Sequence, residues 1–206
     1  VAIDIPAGPS EVAIIADNSV PASFIAADLL SQAEHGADSN IILATTNESV
    51  VEGIQNEITL QLESLPRKEL AVQSLQSGKI FLLKSDDETM ELINEYAPEH
   101  LIIATKNYKE LAQKVVNAGS VFLGNFTPES AGDYASGTNH ILPTNGYAKA
   151  YNGVNLDSFI KKITFQELSK EGINAIGPAI ERMAQEEGLT AHKNAVTVRL
   201  KHTQNQ

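Results

Sequence analysis

Short runs of β-branched and aliphatic residues alternate with longer helical patterns through the first two-thirds of this chain, and few folds satisfy that order. Val12-Ala13-Ile14-Ile15-Ala16, Ile41-Ile42-Leu43-Ala44, Ile80-Phe81-Leu82-Leu83, Leu101-Ile102-Ile103-Ala104 and Val121-Phe122-Leu123 have the length and content of buried strands. Pro21 opens a helix whose apolar face reads as Phe24, Ala27, Leu30 and Ala33, with Gly36 as its stop. Asn47 caps a helix carrying Val50, Val51, Ile54, Ile58 and Leu62, and a further helical piece follows Pro66. Ser85 and Glu88 form a capping box for a helix ending at Tyr96, and another helix is predicted over 107–118.

This order predicts an α/β fold: a mainly parallel sheet with helices on both faces, an incomplete Rossmann-like arrangement. Val1 to Pro6 also has strand character. Regularity stops at Gly124. Residues 124–155 are rich in Gly, Asn, Thr, Ser, Pro and Tyr, and a loop that long in a compact domain is often functional. Beyond it, Ile163 to Gln166 reads as a short strand, Pro178 to Glu187 as a helix, and 190–200 as either. The expected division is an α/β domain over 1–153 carrying most of the site, and a mostly helical C-terminal arm over 154–206. With 206 residues there is room for one domain and such an appendage.

The net charge of -11 argues against nucleic acid and against an anionic membrane surface, since Lys and Arg total only 15. No apolar run approaches the roughly 20 residues that span a bilayer. The N-terminus has neither the basic start nor the apolar stretch of a signal peptide, which points to the cytoplasm. The absence of an initial Met marks the chain as a fragment or a processed product. Without Cys, any zinc site here uses nitrogen and oxygen ligands, the usual pattern of catalytic zinc.

Four of the five histidines sit among other potential ligands. Gln32 and His35, three residues apart at a helix end, project from nearly one face and suit one ion, although a plain polar helix terminus fits them as well. Glu99-His100 precedes a buried strand; the pair offers two bases to a substrate, or simply forms a turn. Gly132 to His140 holds Asp133, Asn139 and two hydroxylic residues with almost nothing to pack, so Asp133 is a candidate oxygen ligand. His192 by itself carries little weight. Gly8-Pro9-Ser10 puts a hydroxyl just before the first full strand, as a substrate contact or a turn. From these residues alone the reading stops at an α/β protein with a nitrogen/oxygen metal site beside an acid–base pair.

The strings Pro6-Ala7-Gly8-Pro9-Ser10-Glu11, Leu30-Ser31-Gln32-Ala33-Glu34-His35-Gly36, Pro98-Glu99-His100-Leu101 and Ser130-Ala131-Gly132-Asp133-Tyr134-Ala135-Ser136-Gly137-Thr138-Asn139-His140 closely resemble the histidinol dehydrogenase family. Gln166 to Gly172 and Leu189 to Ala195 continue the likeness, which corresponds to the C-terminal portion of the family's longer chains. The resemblance implies oxidation of L-histidinol through L-histidinal to L-histidine, with zinc and two NAD used in turn. It implies Gln32, His35, Asp133 and His192 as zinc ligands that also border the substrate. Glu99 and His100 are implied as proton acceptors, Ser10 and Glu187 as substrate contacts, and His140 as part of the pocket wall. It further implies a homodimer with exchanged C-terminal arms, so that Glu187 and His192 complete the neighbour's site. No NAD-contacting residue is implied within this stretch. A zinc-dependent hydrolase using Glu99 on water, and a catalytically incomplete fragment, are the competing readings.

Overall fold

The computed structural model describes residues 5–6 and 8–204 and divides into two compact units, one through Ile160 and one from Lys161. The strand expected at Val1 to Pro6 lies almost wholly outside the described residues, as does Ala7.

In the first unit five strands form one parallel sheet in the order β3-β2-β1-β4-β5. They are β1 Glu11–Ala16, β2 Asn40–Thr45, β3 Lys79–Leu82, β4 His100–Ala104 and β5 Ser120–Leu123. The fold is thus the expected α/β one. Strands β1 and β4 lie side by side with Val12 opposite His100, and every residue of both is buried. That is why they read as unbroken apolar runs rather than alternating ones.

The strands' two sets of side chains enter two separate cores. Val12, Ile14, Leu43 and Ile102 pack under α1 Ala22–Ala33, α2 Ser49–Leu62 and α3 Lys68–Ser77. Ala13, Ile15, Leu101 and Ile103 pack under α4 Asp86–Tyr96 and α5 Tyr108–Ala112.

Several local expectations change. In α1 the inward face is Ile25, Ala26, Leu29, Leu30, Gln32 and Ala33, whereas Phe24 and Ala27 are exposed. The helix ends at Ala33, before His35, and Gly36 is not left-handed. Asn47 does serve the start of α2, its side chain accepting from Ser49 N–H at 3.0 Å. At α4, Ser85 accepts from Glu88 N–H at 3.2 Å, but the Glu88 carboxylate takes the N–H of Lys84, one residue outside the expected box.

The helix predicted to run to residue 118 stops at Ala112. The Asn94 side chain captures the backbone beyond it, accepting from Val116 and Asn117 N–H and donating to the Lys114 carbonyl. Those groups are satisfied outside a helix. The supposed loop after Gly124 contains a short helix, α6 Glu129–Tyr134.

In the second unit, residues 163–166 pair with no strand among the described residues, and Ile163 and Phe165 are exposed. A lone apolar run has no ladder to join. Helix α7 spans Lys170–Glu186, beginning where Ser169 accepts from Gly172 N–H, so Pro178 lies inside it rather than at its head. After Gly188 at φ +72°, Thr190–Gln204 forms α8, which resolves the ambiguous stretch as helix. Gly177 lets the two helices meet: a Cβ there would lie 2.8 Å from Leu200.

Candidate active site

The chemistry-bearing side chains gather at the N-terminal edge of the sheet, where β1 and β4 begin. Helix α4 ends at Ala97 in the left-handed conformation, φ 55°, and this turn delivers Pro98 and Glu99 to the head of β4. The turn is pinned from β5. Gly119 N–H donates to the Pro98 carbonyl and Ser120 N–H to the Glu99 carbonyl, at 2.9 and 2.8 Å. The approach is so close that a Cβ on Gly119 would fall 2.5 Å from the Glu99 carbonyl oxygen.

Glu11, first residue of β1, holds both halves of the Glu99–His100 pair with its backbone. Its N–H donates to Glu99 Oε2 at 2.9 Å, and its carbonyl faces His100 Nδ1 at 3.0 Å. A carbonyl can only accept, so Nδ1 carries the ring hydrogen and Nε2 keeps its lone pair. Nε2 has no hydrogen-bond partner. The Phe122 ring lies 6.0 Å from the imidazole, centroid to centroid, and backs it.

Burial sets the proton affinities. The Glu99 carboxyl is pushed up to about 7 by desolvation, with Glu11 and Asp133 adding repulsion against the Glu11 N–H bond. Burial draws His100 below its ordinary value, and nearby His35 and His140 act in the same direction, while the Glu11 carbonyl and Asp133 oppose them. A buried acid near 7 and a neutral imidazole with a free nitrogen are two bases suited to neutral pH.

Helix α6 brings in two more carboxyls. Asp133 Oδ1 lies 3.9 Å from His100 Nε2, and Glu129, 1% exposed, lies with Oε1 3.7 Å from Nδ1. Desolvation first, then the charges of Asp133, Glu99 and Asp28, raises Glu129 to about 8. Gly132 permits this packing, since a Cβ there would lie 2.6 Å from the Phe122 ring.

Gln32 projects from α1 with no exposed surface, and neither its amide nitrogen nor its oxygen has a partner. Asp28, one turn earlier on the same face, is raised to about 6 by burial. His35 and His140 are exposed. Ser10 is half-buried at the entry to β1, and its carbonyl accepts from Asn40 N–H. Glu187 caps the end of α7 and His192 sits in the first turn of α8, both exposed, in the second unit. Among the described residues, no three His, Asp or Glu side chains converge as a ready-made metal cage.

Glu11 and Glu129 are the residues that sequence reasoning passed over. Glu11 is the charged head of an apolar run, and Glu129 follows Pro128 in a stretch read as loop. Glu11's one signal was a carboxylate heading a segment otherwise bound for the core; Glu129, among exposed and half-buried neighbours, gave none. At the opposite edge of the sheet lies a cavity of about 470 Å³ lined by Asp17, Thr46, Asp86, Thr105, Lys106 and Glu110 among others. Doubly wound sheets commonly bind ligands at that C-terminal edge. Here Asp17 stitches it together, accepting from Ser19 and Lys106 N–H, and the acid–base groups are not there.

The profile of the histidinol dehydrogenase family matches residues 1–200. The chain is 64% identical over 200 residues to histidinol dehydrogenase of Bacteroides thetaiotaomicron, covering 97% of this chain and 47% of that protein. It is 54% identical over 199 residues to that of Campylobacter jejuni, covering 97% of this chain and 46% of the relative. The crystal structure of histidinol dehydrogenase from Elizabethkingia anophelis superposes with a TM-score of 0.95 at 59% identity, over 98% of this chain and 47% of that one. A five-stranded parallel sheet with an acid–base pair at its N-terminal edge, and likeness of this extent along the chain, have one common account: the chain belongs to the histidinol dehydrogenase family and spans about half the length of the relatives it matches.

Proposed function

We propose that this chain is the C-terminal half of an enzyme that oxidises L-histidinol through L-histidinal to L-histidine with zinc and NAD, as a homodimer in the cytoplasm. The observation that carries this reading is the pair at the head of β4: His100 with Nδ1 bound to the Glu11 carbonyl and Nε2 free, beside a Glu99 raised to about 7.

The donor set fits a metal. Gln32 presents a buried amide with both polar atoms unpartnered, and an orphaned group at that depth costs folding energy unless something is bound to it. Gln32, His35 and Asp133, with His192 from an exchanged arm, would hold zinc through nitrogen and oxygen alone. Zinc when bound would fix the substrate by its imidazole and amino nitrogens, and NAD would accept the hydride of each oxidation.

This chain's residues handle the protons. In the first oxidation the substrate's hydroxyl proton passes from oxygen to His100 Nε2 as the carbon bearing that hydroxyl gives up hydride to NAD, and the C–O bond becomes a carbonyl. In the second, Glu99 takes a proton from water as the water oxygen bonds to the aldehyde carbon, His100 Nε2 returns its proton to the carbonyl oxygen, and the resulting hydrate gives up hydride to NAD and a hydroxyl proton to Nε2 as the alcohol did. Ser10, His140 and Glu187 of the exchanged arm would border the substrate.

The test uses the full-length enzyme with zinc, histidinol and NAD, following reduced cofactor and products. Two equivalents of reduced cofactor per histidine are expected. With Glu99→Gln the first oxidation should persist while the second falls by about 10²-fold or more, so that one equivalent forms with the aldehyde. Two full equivalents from that variant would refute the role given to Glu99, and no cofactor reduction by the zinc-loaded native enzyme would refute the function itself.

A further inference from the structure

A second concave region lies at the C-terminal edge of the sheet, opposite the acid–base pair. Strands β1 and β4 are neighbours, yet the chain leaves them for opposite faces of the sheet, α1 covering one core and α4 the other. Such a switch point opens a crevice. The 470 Å³ cavity there meets a second of about 420 Å³, and Thr105 and Lys106 line both. Asp17, Asp86 and Glu110 border the first lobe. Leu123, Tyr108 and Phe126 border the second, and Phe126 is 88% exposed.

Thr105 lies where the lobes join. It is 6% exposed, and its hydroxyl has no hydrogen-bond partner. Packing alone would favour valine at that depth, because an unbonded buried hydroxyl is costly. The carboxylates are only partly used. Asp17 is satisfied by Ser19 and by the Lys106 N–H. Asp86 gives one oxygen to Asn107 Nδ2 at 2.7 Å and keeps the other, and Glu110 is exposed. Lys106, the one cation in either lining, can balance only one of the three. An anion is disfavoured, since α4 opens here with Asp86, Asp87 and Glu88 where a helix end would otherwise welcome phosphate.

We propose that this crevice is a second binding site, for an organic ammonium ion carried on an aromatic or apolar body. The ammonium lies among Asp86, Glu110 and the Thr105 hydroxyl, and the body lies against Leu123 and Phe126. An ammonium brings donors and no acceptor, which matches two carboxylates and the lone pairs of a hydroxyl. A cleft lined by one sign of charge also concentrates ions of the other sign. The open Phe126 ring adds apolar contact and can present its face to the cation. The site shares no residue with the acid–base pair, so it stands whether or not histidinol is oxidised there.

The probe is 2-phenylethylammonium, titrated calorimetrically into the full-length, zinc-loaded enzyme. A Kd of about 1 mM or tighter is expected, within reach of so small a ligand. Uncharged 2-phenylethanol should bind about tenfold more weakly or worse, because its hydrogen bonds lack the charge. Asp86→Asn and Glu110→Gln should each weaken the ammonium by about tenfold, and Thr105→Val by about threefold without melting lower than the native protein. No binding up to about 10 mM, equal affinity for the alcohol, or native affinity in these variants overturns the proposal. Adenosine tests the rival occupant, a nucleoside whose ribose diol a carboxylate could hold. Adenosine binding more tightly than the ammonium also overturns it.

Discussion

Gly119 shows how far the site depends on single atoms. Its missing Cβ leaves room for the Glu99 carbonyl, 2.5 Å from where that carbon would be, and the obstacle is backbone rather than a movable side chain. Gly119→Ala should therefore push β5 away from the entry to β4, costing about 1–3 kcal/mol of stability as overpacking does. It should also lower activity by more than an order of magnitude, because a 1 Å displacement of Glu99 and His100 spoils their geometry. Denaturant unfolding and steady-state rates on the same variant check the two expectations. Native activity would mean that the turn before β4 tolerates movement. At this scale residue type, joined to the family resemblance, singled out His100, Glu99, Gln32 and Asp133, and the fold places them at or near the N-terminal edge of the sheet. The sequence was not readable for Glu11, whose contribution to the pair comes from its backbone N–H and carbonyl. Nothing in a side-chain identity announces a backbone contact.

The elements were legible where one force dominates. The three central strands, β1, β2 and β4, are buried on both faces or nearly so, and continuous apolar runs mark that burial directly; the edge strands β3 and β5 carry similar runs, yet most of their residues are exposed or half-buried. Helix phase and helix ends depend on tertiary contacts that periodicity does not encode. Phe24 and Ala27 fit a helical stripe, yet Ile25 and Leu29 are what face the sheet. Helix α5 ends early because Asn94, more than ten residues upstream, offers its side chain to the backbone of Lys114, Val116 and Asn117. Asn94→Ala removes those bonds and is expected to destabilise the protein by about 1–2 kcal/mol. For a domain of this size that corresponds to a fall in Tm of about 2–4 °C per kcal/mol, read by calorimetry. A variant within 1 °C of the native protein would show that the segment after Ala112 holds itself without Asn94. Helix α6 was hidden for the same reason: its Gly and polar residues look like loop, and its place is fixed by Gly132 against Phe122.

At the scale of the whole molecule, the first unit carries more buried carboxyl groups than its buried cations can balance, and this governs its response to pH. Burial is the leading cause that raises Glu129 to about 8, Glu99 to about 7 and Asp28 to about 6, and it raises Glu11 as well. Unfolded, these groups titrate near 4, so between about pH 4 and pH 8 the folded chain binds more protons than the unfolded one. Stability then falls as pH rises through that window, by about 1.4 kcal/mol for each tenfold difference in proton affinity at a fully buried group. Below pH 4 both states are protonated and the penalty vanishes; above the folded values it stays constant. The chelated chain should thus show a higher Tm at pH 5.5 than at pH 8, opposite to a protein held together by surface ion pairs. A divalent cation that binds the folded site opposes the same repulsion, so saturating zinc should raise Tm more at pH 8 than at pH 5.5. Thermal unfolding at both pH values, with zinc and with chelator, decides this. A Tm that rises with pH in the chelated chain would show that these carboxyls do not govern the unit's stability. Equal zinc stabilisation at both pH values would show that the metal binds away from them.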